Sequence, residues 1–493
     1  MGVLALSSTI VPSAFAQCDP ADLFGQPLSF SAQAIAAINI VAADFNSDGI
    51  LDVATESDSG SGFVSVLLGN GNGVFGPAIS LVVNQGRPVG LSVGDVNGDG
   101  FPDMVTANSG SANVALLLGN GDGTFETFRV ISVGNTSGAF DTALVDVTND
   151  GFLDLLVSEP SQDRLWFLRG DGQGAFSAAT TIPTGDNPFY FVVTDLDGDN
   201  VQDILVGNQG TPDDVSIIRG AGSGQFFAQV RLTFGGTEIM RPAVADLNGD
   251  GINDIVVAQS AVDNVAVRLG TGGLNFAPQV LYPMGDAPRH VKLVDVSNDG
   301  VLDMIVAGVN SNRISIRPGN GDGTFGDEVR YETNVRPEDA VIFDANGDGM
   351  NDVVVVNSTS QDITPLLNMC EPGLTIVAQP VNAIATPGAR VQFSVQATSF
   401  DLISYQWYKD DTVLVDGPGI SGSNSAVLTL DPIGIGGSGR YRALVVSGSD
   451  AALTEFASVG LMISCPADFD LSGTLNSSDF LEYLNFYTTG CPQ

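Results

Sequence analysis

The sequence predicts an all-β chain: a ring of seven four-stranded units, then a β-sandwich, then a small cation-loop segment with a helix. Three observations carry that expectation. A nine-residue pattern, Asp-x-[Asn/Asp]-x-Asp-Gly-x-x-Asp, with Thr or Ser twice at position three and Asn once in place of the Gly, returns seven times, starting at Asp44, Asp95, Asp146, Asp195, Asp246, Asp295 and Asp344, at intervals of 49 or 51 residues. A period near fifty marks stacked structural units. The pattern is gone by residue 373, where Val, Ser, Thr and Leu begin to alternate, and a differently spaced acidic loop follows near residue 468.

In the second copy an apolar strand over 90–94 runs into the Asp loop 95–103, and a strand resumes at 104–107. A Gly/Ser/Asn turn, a strand over 114–118, a Gly-rich turn at 119–123 and a strand over 125–133 complete the unit. Four short strands at this period read as one blade, so residues 18–369 read as a seven-bladed β-propeller. The last copy stops after 363–367 without its Gly-rich turn or fourth strand. The missing piece stands at the other end, because Phe24-Gly25-Gln26-Pro27-Leu28-Ser29-Phe30 resembles Phe75-Gly76-Pro77-Ala78-Ile79-Ser80-Leu81. The N-terminus is therefore expected to complete the seventh blade.

With 43% hydrophobic residues among 493, the chain can bury real cores in more than one domain. Lys and Arg number 18 against 57 Asp and Glu, a net charge of -39, which argues against nucleic acid or an anionic membrane as partner. Residues 1–16 are apolar and end in Ser13-Ala14-Phe15-Ala16, a signal-peptide cleavage pattern, so the chain reads as secreted or held at the cell surface. No basic residue follows Met1, a departure from the usual signal start, and Gln17 makes Cys18 a poor lipidation site. No later apolar run reaches the roughly 18 residues a membrane span needs. Four cysteines allow three pairings; an export signal and their bracketing positions favour Cys18 with Cys370 and Cys465 with Cys491, against free thiols.

The Asp loops are also chemistry. Calcium takes six to eight oxygens at about 2.3–2.6 Å, and alternate residues of a tight loop can converge on one such ion. Positions one, three, five and nine offer side chains, and position seven its carbonyl. The sets are Asp44, Asn46, Asp48 and Asp52; Asp95, Asn97, Asp99 and Asp103; Asp146, Thr148, Asp150 and Asp154; and Asp195, Asp197, Asp199 and Asp203. They continue with Asp246, Asn248, Asp250 and Asp254; Asp295, Ser297, Asp299 and Asp303; and Asp344, Asn346, Asp348 and Asp352. Thr148 and Ser297 are weaker ligands, and Asn200 stands where the other copies have Gly. About seven calcium ions are expected, as structural staples rather than sensors. Magnesium is disfavoured because it demands a tighter octahedron.

Together with the Gly-x-Gly-x-Phe turns, these loops resemble the FG-GAP, or VCBS, repeat of integrin alpha-chain propellers and many bacterial secreted proteins. The resemblance covers residues 18–369 and implies a binding platform for an extracellular protein or polysaccharide ligand. Over residues 373–464, Tyr405-Gln406-Trp407-Tyr408-Lys409 followed by Ser438-Gly439-Arg440-Tyr441 resembles the C strand and tyrosine corner of an immunoglobulin-like domain. The usual cysteine pair is replaced by Val395 and Ala443, and the module reads as a spacer or as a further binding domain.

In residues 465–493, Asp468, Asp470, Ser472, Gly473, Asn476 and Asp479 fall at EF-hand positions 1, 3, 5, 6, 9 and 12, ahead of a helical pattern through Phe480, Leu481, Leu484 and Phe486. This resembles a dockerin half-repeat and adds an eighth calcium. Ser477 and Ser478 take the places that contact a cohesin in dockerins. A dockerin normally has two such repeats and this segment has one, so a cohesin-like partner competes with a calcium cap or a sorting tail.

Catalytic groups are sparse. His290 is the single histidine, which makes a Ser-His-Asp triad improbable and leaves the chain reading as a non-enzyme. The Arg169-Gly170-Asp171 tripeptide falls in a blade turn and reads as that turn. Arg87, Arg241, Arg289 and Arg336 enter the innermost strands on the face away from the Asp loops, a candidate site for an acidic polysaccharide or a partner carboxylate. The expectation is a secreted calcium-binding adhesion or interaction protein. The alternative is a non-catalytic accessory component of extracellular polysaccharide degradation, attached through the tail.

Overall fold

The computed structural model describes residues 23–461 except 35, 59–61, 84–85, 112, 135–137, 371–373, 400–401 and 448–449. The export segment 1–16, Cys18 and the tail, with Asp468, Asp470, Ser472, Asn476, Asp479, Cys465 and Cys491, lie outside the described residues. Among the described residues helical structure is confined to three 3-10 turns, Pro160–Gln162, Ser260–Val262 and Ile435–Gly437, and no helix is long and apolar enough to cross a membrane.

The chain divides into two compact units after residue 370. The first holds seven four-stranded antiparallel sheets, each meandering from its first strand to its fourth. Sheet two is typical: Pro88–Gly94, Asp103–Asn108, Asn113–Leu117 and Arg129–Ser132. Its fourth strand starts at Arg129 rather than at residue 125, because Phe125 instead bridges back to Gly119 and closes the Gly-rich turn. The second strand of every sheet is buried along its whole length, which explains apolar runs such as Val353 to Val356. Strands covered on both faces need no polar alternation. The fourth strands, at the sheet edge, carry exposed residues such as Arg129 and Val130.

Sheet seven is built from both ends of the unit. Pro337–Phe343, Asp352–Asn357 and Asp362–Leu366 are joined by Phe30–Ser31, with Phe30 opposite Ile363. The expected correspondence holds residue by residue: Phe24 bridges Asn368 as Phe75 bridges Gly69, and the Gly25 amide donates to Leu367 as Gly76 donates to Leu68.

Apolar packing closes the same circle. Consecutive sheets share a core from one-two through six-seven, and Val53 and Leu67 of sheet one pack with Val354, Val356 and Ile363 of sheet seven. The unit is a propeller-like ring of repeats, in which only short edges remain open. First strands of neighbouring sheets touch one another, so they line the axis.

The second unit places Ala383–Ala385, Ala457–Leu461, Gly439–Ser447, Ile403–Lys409 and Thr412–Val413 in one sheet, with Asp450–Leu453 paired to Gly439–Ser447. Val391–Ser394, Val427–Leu430 and Ile420–Ser421 form another. The two enclose Trp407, Phe393 and Tyr441, all buried, with Val395 and Ala443 in the same core. The Trp407 indole N–H donates to the Ser425 carbonyl at 2.8 Å, and the Tyr441 hydroxyl donates to the Gly437 carbonyl at 2.6 Å. Each buried aromatic thus keeps a partner for its polar atom.

Candidate functional site

Each Asp loop links the first strand of a sheet to the second. Position six turns the chain through the left-handed region: Gly49 has φ of 84°, and Asn200, the substitute in copy four, adopts 64°. Position four is left-handed as well, filled by Ser47, Gly98, Asn149, Gly198, Gly249, Asn298 and Gly347. These paired turns aim backbone amides inward, and the carboxylates receive them. In all seven copies the first Asp accepts the position-six amide at 2.7–2.8 Å. The fifth-position Asp accepts the position-seven amide at 2.8–2.9 Å.

The ninth position does more than offer a ligand atom. Asp52, Asp103, Asp154, Asp203, Asp254, Asp303 and Asp352 are fully buried. One oxygen of each accepts the amide at loop position two, at 2.8–3.1 Å. The other accepts the amide that opens the turn after strand three, from Gly69 in copy one to Asn368 in copy seven, at 2.6–2.9 Å. The Gly-rich turns then clasp the neighbouring sheet. The amides of Gly123, Gly174 and Gly323 donate to Phe45, Val96 and Leu247 in the preceding loop, and Gly73 reaches Ala345 across the closure. Burial, against the pull of these amide bonds, pushes Asp52, Asp103 and Asp352 up to about 6, with the neighbouring Asp charges adding to the rise.

Two observations test whether a cation suits these loops. Oxygens of Asp195, Asp197 and Asp203 all lie within 4.8 Å of one another. Three ligands around one calcium at about 2.3–2.6 Å have such separations. At position three, Asp197 Oδ1 and Ser297 Oγ are buried without a hydrogen-bond partner among the described residues. Elsewhere that position is occupied internally: Asn46, Asn97, Asn248 and Asn346 donate to the fifth-position carboxylate, and Thr148 donates to Asp146. The donor set is all oxygen, and in copy four it is gathered closely enough for a hard cation.

The FG-GAP-like repeat family matches residues 44–106, 95–157, 146–206, 195–257, 246–306 and 295–355, well over half of the chain. The chain belongs to the FG-GAP-like repeat family. Each matched window runs from one Asp loop into the next sheet, so six windows take in all seven loops. No curated protein matches the chain. Among solved structures, a protein from Lactobacillus plantarum is 14% identical over 61% of this chain and 86% of its own, with a TM-score of 0.46. The titin M3 domain is 19% identical over 18% of this chain and 97% of its own, with a TM-score of 0.17.

At the other end of the first strands, the FG-GAP-like ring gathers a second set of polar residues. Counting five residues back from each loop's first Asp gives Asn39, Gly90, Asp141, Tyr190, Arg241, His290 and Asp339. Most of these side chains meet in one buried network. From sheet five, Arg241 pairs with Asp141 of sheet three at 2.6 Å, reaches Asn39 at 3.5 Å and stands 5.6 Å over the Tyr190 ring of sheet four. Tyr190 packs edge-on against His290 at 4.6 Å, and Asp339 faces His290 at 3.3 Å and Lys292 at 2.9 Å. Gly90 is required, because a Cβ there would lie 2.5 Å from the Phe140 carbonyl oxygen.

Of the four arginines singled out in the sequence, only Arg241 and Arg289 approach the axis; the Arg289 guanidinium donates to the Tyr190 hydroxyl at 3.4 Å. Arg87 is bound to Asp58 and 60% exposed. Arg336 and Arg289 share Glu338, at 2.7 and 3.3 Å. Every one of the four already faces a carboxylate of this chain, so no open basic cluster forms. Burial lowers His290, while Asp339, which burial alone would raise, is held well below the usual range by Lys292 and His290.

Glu56 borders this network. Its Oε1 accepts the Ile38 and Asn39 amides and the Asn39 side chain at 3.0–3.2 Å, Oε2 is buried without a partner among the described residues, and burial pushes its pKa up to about 8. The fold therefore binds this proton more tightly than the unfolded chain does. The associated stability is complete below the unfolded value of about 4.5 and is lost as pH climbs to about 8. Glu56→Gln, neutral at every pH, is expected to match the parent at pH 5 and exceed it at pH 8 in urea unfolding. Equal pH slopes for the two proteins would contradict the assignment.

Proposed function

We propose that the chain is a secreted, calcium-stabilised binding protein. The ring is read as a seven-bladed propeller whose Asp loops hold calcium as staples, followed in the sequence by an immunoglobulin-like spacer and a dockerin-like tail. The observation that carries the calcium reading is the fourth loop, where three carboxylates converge and Asp197 Oδ1 is left without a partner. The other six loops share its amide cage, which extends the reading to them by geometry. Asp44, Asp95, Asp146, Asp195, Asp246, Asp295 and Asp344 would each supply a ligand oxygen, together with positions three, five and nine. The buried half-cystine Cys370, beside the ring closure, supports a bond to Cys18 that would lock the two ends together.

The ligand is proposed to be an extracellular protein or polysaccharide bound on the ring face away from the loops. Its acidity is not part of the proposal, because each of the four arginines there is already ion-paired. Thermal unfolding with excess calcium and with EGTA tests the staple reading. Chelation is expected to lower the melting temperature by roughly 5 °C or more, because ions bound only by the folded state stabilise it by mass action. Identical melting curves, with no heat of calcium binding by calorimetry, would reject calcium stapling.

A further inference from the structure

The seven loops are not equivalent in charge balance. The residue just before the turn after strand three is Leu68, Leu118, Leu269, Pro318 or Leu367 in copies one, two, five, six and seven. In copies three and four it is Arg169 and Arg219. Both arginines fold back onto their own Asp loop. Arg219 places Nε 2.5 Å from Asp197 and a terminal nitrogen 2.8 Å from Asp199. Arg169 places two nitrogens on one Asp150 oxygen, at 3.0 and 2.6 Å.

Copy four is also the loop with four Asp residues in nine, where the other six have three. An arginine therefore stands on the loop with the most carboxylate charge to neutralise. Its Nε meets Asp197 at Oδ2 as an ion pair without hydrogen-bond geometry, and Asp197 Oδ1 keeps no partner among the described residues. Arg268 and Arg317, one residue earlier in copies five and six, donate instead to backbone carbonyls.

We infer that Arg169 and Arg219 are built-in counter-cations that hold the third and fourth Asp loops in place when calcium is withdrawn. This rests on the calcium reading above. Loops 95–103 and 246–254, which carry no ion-paired Arg or Lys among the described residues, open before them, so depletion loosens the ring asymmetrically, with sheets three and four kept closest to their bound form.

Hydrogen exchange on the full chain, with calcium and with EGTA, tests this peptide by peptide. On chelation, loops 146–154 and 195–203 should gain less exchange than loops 95–103 and 246–254. The difference should be several-fold and up to about tenfold, the scale of one or two exposed ion pairs. Arg219→Leu, the residue of four other copies, should bring 195–203 to the level of the uncompensated loops and leave 95–103 unchanged; Arg219→Lys, which keeps the charge, should restore part of the protection. Equal gains in every loop of the parent, or an Arg219→Leu variant with unaltered exchange at 195–203, would overturn the counter-cation role while leaving calcium binding intact. No change with EGTA in any loop would overturn both.

Discussion

Asp103→Ala is expected to lower the unfolding free energy of the ring by about 4 kcal/mol even with calcium chelated, because it strands two buried amides at about 1–3 kcal/mol each. The amides are those of Val96, in the Asp loop, and Gly119, which opens the Gly-rich turn, at 3.0 and 2.8 Å from the carboxylate. Asp103 is fully enclosed, so bulk solvent does not reach the two amides directly. Asp103→Asn is the sharper variant: its single oxygen satisfies one amide, while its NH2 group faces the other donor to donor. It should recover at most half of the loss. The measurement is urea unfolding in EGTA, which separates amide bridging from metal ligation. A loss below about 1 kcal/mol for the Ala variant would mean that the ninth position is chiefly a metal ligand.

That dual role marks where the sequence stops being readable. The period, the four strands per copy and the N-terminal completion of the last sheet were all legible, because each rests on local signals: turn residues, alternation and a short matching segment. The loops were legible as acidic and tight. The amide bridge from the ninth Asp to a turn sixteen or seventeen residues on was not, since nothing in a nine-residue pattern shows which distant N–H a buried carboxylate meets. Position four carried a signal in its composition: Ser, Gly and Asn alone fill it, and its left-handed backbone explains the choice. The axial network had a signal too. It was a register, five residues before each loop, where polar side chains from successive copies meet across the ring. Arginine content alone points to Arg241 but not to Asn39, Asp141, Tyr190 and Asp339, and it equally points to Arg87, which pairs with Asp58 instead.

Arg241 carries the second large effect. One side chain from sheet five contacts residues of sheets one, three and four, and its partner Asp141 is 1% exposed. Buried pairs are weak evidence of net stabilisation, because desolvation offsets their attraction, yet removing one partner leaves a charge with no solvent and no counter-ion. Arg241→Met is therefore expected to cost about 3–5 kcal/mol. Asp141 also accepts the Phe191 amide at 3.2 Å, so an Asp141→Asn change keeps an acceptor while removing the charge. The double variant, Arg241→Met with Asp141→Asn, should regain most of the stability lost in Arg241→Met, giving a coupling of at least about 2 kcal/mol by urea unfolding. If the two losses simply add, the arginine acts through packing on Tyr190 rather than through its charge. If the double variant recovers, the axis is held by a neutralised ion pair, and a ligand on that face would meet a balanced polar floor rather than a basic one.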